Sequence, residues 1–371
     1  MEFNNKYPAA LAALSLLVGT GHLAAKPPAA AFSACSGAST GQSCAVQTPH
    51  GKLSGQCRQP PQEQSLVCVP EGHRGPGGRE DGRAGGPGGS PNGGPPGGTR
   101  EHTVVQSPAK PQLLPADTSP ITSNESDEML LDQWRVITAN GVSEHDTGAF
   151  PNRGNPNAIR EQQYVWRVAA APTVKVSVTP LARSSFGVTI NGVPFDPGAA
   201  EWYKGVRSER WQYEPLAGAI ALGLDANYAH VQPNGAYHYH GLPSGLLADI
   251  ELSSSAYSPL VGWAADGFPI YALYGAADDG AGGVVRQLSS YRLRSGSRPS
   301  AGNNPGGRYD GTFVGDYEYV ENSGTLDECN GRWAVTPEFP GGGYVYFLTE
   351  QWPVIPRCHR GTPSQDFSKR R

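Results

Sequence analysis

At 371 residues, with a net charge of -4 and a pI near 6.1, the chain has room for two or three domains and lacks the basic balance of a nucleic-acid binder. Charged residues make up only 17%, with 49 Gly and 34 Pro against 2 Met. These values exclude a charge-rich helical enzyme and a Met-rich copper(I) carrier, whose soft thioether ligands would be needed in number. They favour a loop-rich, extracytoplasmic β protein. Residues 1–31 read as a signal peptide: Lys6 gives a weak n-region charge offset by Glu2, Ala9 to Val18 forms an apolar h-region, and Leu23-Ala24-Ala25 and Ala29-Ala30-Ala31 offer cleavage sites. Phe32-Ser33-Ala34-Cys35 is a weak match to a lipoprotein box. No later run approaches the about 18 apolar residues of a membrane span, so no transmembrane segment is expected. The predicted destination is the periplasm or the exterior.

Residues 32–70 hold Cys35, Cys44, Cys57 and Cys68, and Cys329 and Cys358 lie near the other end of the chain. Even cysteine numbers in an exported chain predict disulfides. Three pairings of the first four are open, and the absence of a Cys-x-x-Cys pair argues against a zinc module. Gly-Lys-Leu-Ser-Gly-Gln-Cys and Ser-Leu-Val-Cys-Val read as two short strands of a small disulfide-rich module, which cannot be held by burial alone below about 40 residues. A spacer or docking knob is its simplest role, and the sequence names no partner for it. Residues 71–126 read as a linker: Gly-Pro-Gly-Gly and its variants break the collagen period and carry no apolar pattern up to about Gly98, and the polar, Pro-rich stretch extends it to Ser126. His73 and His102 fall in or beside this linker and read as solvated side chains.

Residues 127–362 read as a β domain, followed by a polar tail at 363–371. Trp134-Arg-Val-Ile-Thr and Tyr164-Val-Trp-Arg-Val are the first strands, and Val174, Val176 and Val178 alternate as a half-buried strand would. Gly187 to Phe195 forms a hairpin with Asn191-Gly192 at its tip. Further strands are predicted at Trp211-Gln-Tyr, Val261-Gly-Trp, Pro269 to Tyr274, Tyr317-Glu-Tyr-Val and Tyr344 to Thr349, with one short helix from Leu216 to Leu224. The fold class is mainly β, a sandwich-like or layered antiparallel sheet domain with short helices.

The chemistry concentrates in Asn227-Tyr-Ala-His230-Val-Gln-Pro-Asn-Gly235-Ala-Tyr-His238-Tyr-His240-Gly241. With Pro233, Asn234 and Gly235 as a three-residue hairpin loop, Gln232 pairs with Ala236 and His230 faces His238. His240 then shares their face, and Tyr237 and Tyr239 take the reverse one. A two-residue Asn-Gly loop would instead send His230 to the other face, but it would put Pro233, which has no N–H, in a ladder pair. Three imidazoles on one face suit one zinc or copper ion, and nothing in the ligand set separates the two metals. Asp225 and Asp266 are the carboxylates available to orient the rings from a second sphere, Asp266 equally as a pin for the Gly-Phe-Pro turn. The Asp-Asp-Gly loop after Ala277 lacks calcium-loop spacing.

A second stretch echoes the hairpin. Asp225 and Asn227 lead to Pro233-Asn-Gly and Tyr-His-Tyr-His; Asp327 and Asn330 lead through Pro337 and Pro340-Gly341 to Tyr344-Val-Tyr-Phe347. Val345 and Phe347 then stand where His238 and His240 do. Tyr237-His-Tyr-His-Gly-Leu-Pro243, Asn191-Gly-Val-Pro-Phe-Asp-Pro-Gly198, Ala265-Asp-Gly-Phe-Pro-Ile-Tyr271, Leu326-Asp-Glu-Cys-Asn-Gly331, Thr336-Pro-Glu-Phe-Pro340 and Ile355-Pro-Arg-Cys358 together resemble the bacterial YHYH-domain family over roughly residues 130–362. That resemblance implies a domain without an established reaction.

The β domain carries no Gly-x-Ser-x-Gly elbow, and the phosphate-binding Gly-x-x-x-x-Gly-Lys and His-Glu-x-x-His are missing from the sequence. Cys329 and Cys358 read as a disulfide across the Tyr344–Phe347 region, with a catalytic thiol beside His359 as the alternative. Three function classes remain: an exported metal-binding protein that stores, delivers or senses a transition metal; a metal-dependent hydrolase or copper redox enzyme; and an adhesion or carbohydrate-binding domain using Trp202, Tyr203, Trp211 and Tyr213 around a structural metal. The first is favoured, and no catalytic residue is assigned.

Overall fold

A computed structural model describes residues 29–48, 51–59, 65–70, 110–207, 210–277 and 283–369. The predicted leader up to residue 28 and the Gly/Pro linker up to residue 109, with His73 and His102, lie outside the described residues.

The N-terminal module has three antiparallel strands, Ser43–Thr48, Gly51–Arg58 and Val67–Pro70, where two were expected. Its disulfides are Cys35–Cys57 and Cys44–Cys68. Cys57 and Cys68 face each other across the ladder, yet each bonds elsewhere. The short helix Ala29–Ser33 belongs to this unit, because Ala31 is buried in its core with Cys35, Val46 and Val67.

The larger unit takes in more chain than its patterning suggests. Leu114 N donates to Leu224 O at 2.9 Å, Thr118 and Thr147 exchange backbone hydrogen bonds, and Leu113 packs on an aromatic cluster. Residues 110–126, assigned to the linker by their polar composition, therefore belong with the larger unit, held by Leu113 and Leu114. The end of the chain is likewise packed: Phe367 is buried and stacks on Trp166, and Asp366 pairs with Arg167 at 3.2 Å. No helix covers 216–224; a single 3-10 turn at Pro215–Ala217 gives way where Gly218 and Gly223 adopt φ of 70° and 64°. The domain's α-helix is Ser244–Asp249 instead. Val174 to Val178 is irregular and Val176 fully exposed, and Trp211 to Tyr213 makes only isolated bridges.

The centre of the domain is an eight-stranded sheet. Its strands are β1 (Gly187–Thr189), β2 (Pro194–Phe195), β3 (Ala229–Val231), β4 (Tyr237–Tyr239), β5 (Gly262–Ala264), β6 (Pro269–Ala272), β7 (Gly331–Ala334) and β8 (Gly343–Leu348). In space they run β3-β4-β2-β1-β5-β6-β8-β7, with parallel pairings between β4 and β2 and between β6 and β8. A smaller three-stranded sheet, Ser126–Leu131, Trp134–Ala139 and Tyr164–Ala169, contributes Ile137 and Trp166 to a core with Val188 and Trp263. Phe186, Phe195, Tyr239 and Tyr346 belong to the main core on the other face. The architecture is thus mainly β and layered.

The strand order is a palindrome about the β1–β5 junction, and the local bonding repeats with it. Phe186 N donates to Phe195 O and Val261 N to Ile270 O, both at 2.8 Å. Gly192 N donates to Thr189 O and Gly267 N to Ala264 O, both at 2.9 Å, and both glycines take positive φ. At the junction itself a methyl on Gly187 would strike the Trp263 carbonyl, and one on Gly262 the Val188 carbonyl. Only glycine allows the two halves this close.

The echo between the hairpins extends to single hydrogen bonds. Asp225 Oδ1 accepts from the N–H groups of Asn227 and Ala229, as Asp327 Oδ1 does from Cys329 and Gly331. The fourth residue of each turn, Tyr228 or Asn330, is left-handed at φ 54° or 52°. Ala229 pairs with Tyr239 as Gly331 pairs with Tyr346. His230, His238 and His240 therefore correspond to Arg332, Val345 and Phe347. Cys329, in the second turn, is disulfide-bonded to Cys358, so neither is a free thiol.

Candidate metal centre

The hairpin has the register that its Pro-Asn-Gly loop dictates. Gln232 N donates to Ala236 O at 2.9 Å, Gly235 N donates to Gln232 O at 2.8 Å, and His230 faces His238 across the ladder. Gly235 is held at φ 90°, and a side chain there would also meet that of Arg160. On the reverse face Tyr237 donates to Asp225 Oδ2 at 2.6 Å, and the Tyr239 hydroxyl lies 2.6 Å from His145 Nε2. This buried polar backing fixes the tilt of the strand and hence of the imidazoles in front.

The three rings are steeply inclined to one another, at 67–77°, with centroids 4.7–4.8 Å apart. His240 Nε2 lies 3.1 Å from His238 Nε2 and 3.0 Å from His230 Nε2. His230 Nδ1–H donates to Leu222 O at 2.9 Å, and His238 Nδ1–H to Ala236 O at 3.1 Å. Those bonds fix both neutral rings in the tautomer whose Nε2 carries a lone pair. His240 Nδ1 is buried and has no hydrogen-bond partner among the described residues. Even if its proton sits on Nε2, it can serve only one of the two facing lone pairs, and the other has only the Gln232 amide at 3.4 Å from His238 Nε2. A cation shared by all three nitrogens would satisfy them together.

Ligands at about 2.0–2.1 Å around a tetrahedral ion stand about 3.3 Å apart, so opening the cluster by a few tenths of an ångström would seat one. Burial holds all three imidazoles below their ordinary pKa of 6.5, and His238 and His240 well below it, where repulsion from the neighbouring rings adds to desolvation. Neutral imidazole is the form that ligates. Among the described residues, the cysteines Cys35, Cys44 and Cys57 also cluster, but their sulfurs are committed to disulfides.

The outer sphere differs from expectation. Asp225 serves the backbone turn and Tyr237, and Asp266 accepts from Tyr346 and from Gly361 N at 2.7 and 2.8 Å in the opposite half of the sheet. Backbone carbonyls of Leu222 and Ala236 orient the rings in their place. Asp225 is instead a structural keystone, with four donors on it: Gly148 N, Asn227 N, Ala229 N and Tyr237 Oη. Asp225→Ala strands all four and is expected to cost at least about 3 kcal/mol in urea unfolding of the metal-free protein.

Sequence reasoning passed over Asp196, Gln232 and Lys369. Asp196 is buried, its Oδ2 lies 3.8 Å from His238 Nε2, and Gln232 Nε2 stands 3.3 Å from Asp196 and 3.4 Å from His238. Lys369 forms an ion pair with Asp196. The aromatics proposed for carbohydrate contact do not form a flat exposed face. Trp211 and Tyr213 are buried around Phe313, and Tyr203 packs against the same cluster.

A family model described as YHYH protein matches residues 165–361, more than half of the chain. The match spans all eight strands of the central sheet and every histidine of the cluster. No curated protein and no solved structure matches the chain.

Proposed function

The chain belongs to the YHYH protein family, and we propose that it is an exported protein that binds one zinc or copper ion through His230, His238 and His240. The observation that carries this is the convergence of three Nε2 atoms, with two tautomers fixed by backbone carbonyls and a third ring lacking any other bond. Such a donor set fits a borderline divalent ion and not calcium or magnesium, which need oxygen. Three protein ligands leave a coordination position for exchange, which suits storage, delivery or sensing. The same open position is what a metal-dependent hydrolase uses to polarise water, and the buried Asp196 beside it favours that as the second reading.

Export is supported by the leader-like first residues and the disulfides, and no helix among the described residues is long and apolar enough to cross a membrane. Because Ala31 packs inside the N-terminal module, cleavage after Ala25 keeps that module whole. Protein recovered from a bacterial periplasm without chelators is expected to contain about one equivalent of zinc or copper and to begin near Lys26. Elemental analysis and intact mass read both. Metal well below one equivalent, or equal in a His238→Ala/His240→Ala variant, would overturn the metal reading.

A further inference from the structure

The two halves of the sheet differ where the metal centre lies, and the differences are correlated. Asp196 follows Phe195, which pairs with Tyr239; Tyr271 follows Ile270, which pairs with Tyr346. The residue after the parallel pair is therefore an acid in the half with three histidines and a tyrosine in the half with Arg332, Val345 and Phe347. Alternation places Asp196 on the histidine face of the sheet. Its carboxylate is 5% exposed, meets His238 and Gln232, and is balanced by Lys369, which reaches it from the last turn of the chain. Tyr271 packs with Phe347 and donates its hydroxyl to Glu338, so the residue at the matching place in the other half is a phenol and not a carboxylate.

We propose that Asp196 is the fourth protein group of the metal centre, addressing the coordination position that the imidazoles leave open, and that the Lys369 ammonium holds its charge until a divalent cation takes over. This rests on the triad's being a metal site. Asp196 stands outside the set of ligand atoms that lie within 4.8 Å of one another. It therefore acts from the outer sphere, as acceptor for a water at the fourth position, and the Gln232 amide steers it by donating to its carboxylate at 3.3 Å. The cation class is one that keeps an exchangeable water beside three imidazoles, as Zn(II) and Co(II) do.

The test is calorimetric titration of the full-length, metal-free protein with ZnCl2, repeated with CoCl2 to record the visible spectrum. Asp196→Asn is expected to weaken zinc binding about 10- to 100-fold and to change the Co(II) bands, with the metal-free protein still unfolding cooperatively. Lys369→Met is expected to tighten binding in the parent and to do so clearly less in the Asp196→Asn background, where only the direct repulsion between ammonium and metal ion is relieved. If Asp196→Asn does not fold, Lys369→Met alone carries the test, and unchanged affinity there overturns the assignment. Parent-like affinity and spectrum in Asp196→Asn overturn it too. If His238→Val also binds like the parent, the triad has failed; if His238→Val abolishes binding while Asp196→Asn does not weaken it, only the role of Asp196 has failed.

Discussion

Replacing His238 with Val and His240 with Phe is expected to abolish metal binding and leave the fold in place. The prediction is drawn from the protein's own second hairpin. Val345 and Phe347 occupy the corresponding positions there, in the same register, both buried, beneath the same Asp–turn–Tyr frame. The scaffold is thus stable with apolar side chains at these sites, and histidine is not needed to build it. Burying two imidazoles without an ion, by contrast, costs desolvation that Val and Phe avoid. Metal content should fall from about one equivalent to background, while unfolding free energy at pH 8, measured in urea on metal-free samples, should stay within about 1.5 kcal/mol of the parent. Collapse of the fold in the double variant would mean that the histidines are structural and that the likeness between the hairpins is superficial. Retained metal would mean that the ion sits elsewhere.

The second large effect is on the pH dependence of the metal-free protein. All three histidines have folded pKa values lowered from 6.5, chiefly by burial. The sign follows from proton counts: below pH 6.5 the unfolded chain takes up protons on these rings and the folded chain does not, so stability falls as pH falls. It is fully present above 6.5 and is lost through the window between 6.5 and the lowered folded values. Each ring contributes a slope of up to about 1.4 kcal/mol per pH unit. Urea midpoints between pH 8 and pH 5 should decline steeply in the parent and more gently in the Val/Phe variant, which keeps only His230. Added zinc should lift the curve nearly in parallel and steepen it only below the lowered folded values, where ligation keeps neutral the rings that the metal-free protein would protonate. Parallel curves for parent and variant would show that the rings titrate freely in the folded state.

What could be read from the chain follows the range of the interactions. The hairpin register is encoded in three adjacent residues, because proline cannot donate and Gly235 alone accepts φ 90° there. The echo of Asp225 in Asp327 is local as well. Asp196 reaches the site through a parallel pairing of Phe195 with Tyr239, across more than 40 residues of sequence. Lys369 arrives from the far end of the chain, so neither leaves a local trace. The disulfide pairing of the small module is likewise set by how its three strands stack and not by spacing. One departure from expectation has a local cause: the apolar run at 216–224 contains Gly218 and Gly223, which end a helix before it starts. The alternating valines at 174–178 lead instead into a two-residue strand, Thr179–Pro180, that pairs with Cys358–His359.

The turn that carries Cys329 has a further consequence for the order of assembly. At the matching place in the first half stands Asn227, which ties its turn to the body by donating to Asp146 O at 2.9 Å and accepting from Gly245 N at 2.8 Å. One half is therefore fastened by a covalent bond that waits for an oxidant, and the other by hydrogen bonds that form as soon as the chain collapses. All six cysteines lie outside the span from Gly187 to Gly241 that holds the histidines and Asp196. Opening or closing the Cys329–Cys358 bridge therefore changes none of the side chains proposed to hold an ion, and capture of an ion by the imidazoles would not have to await it.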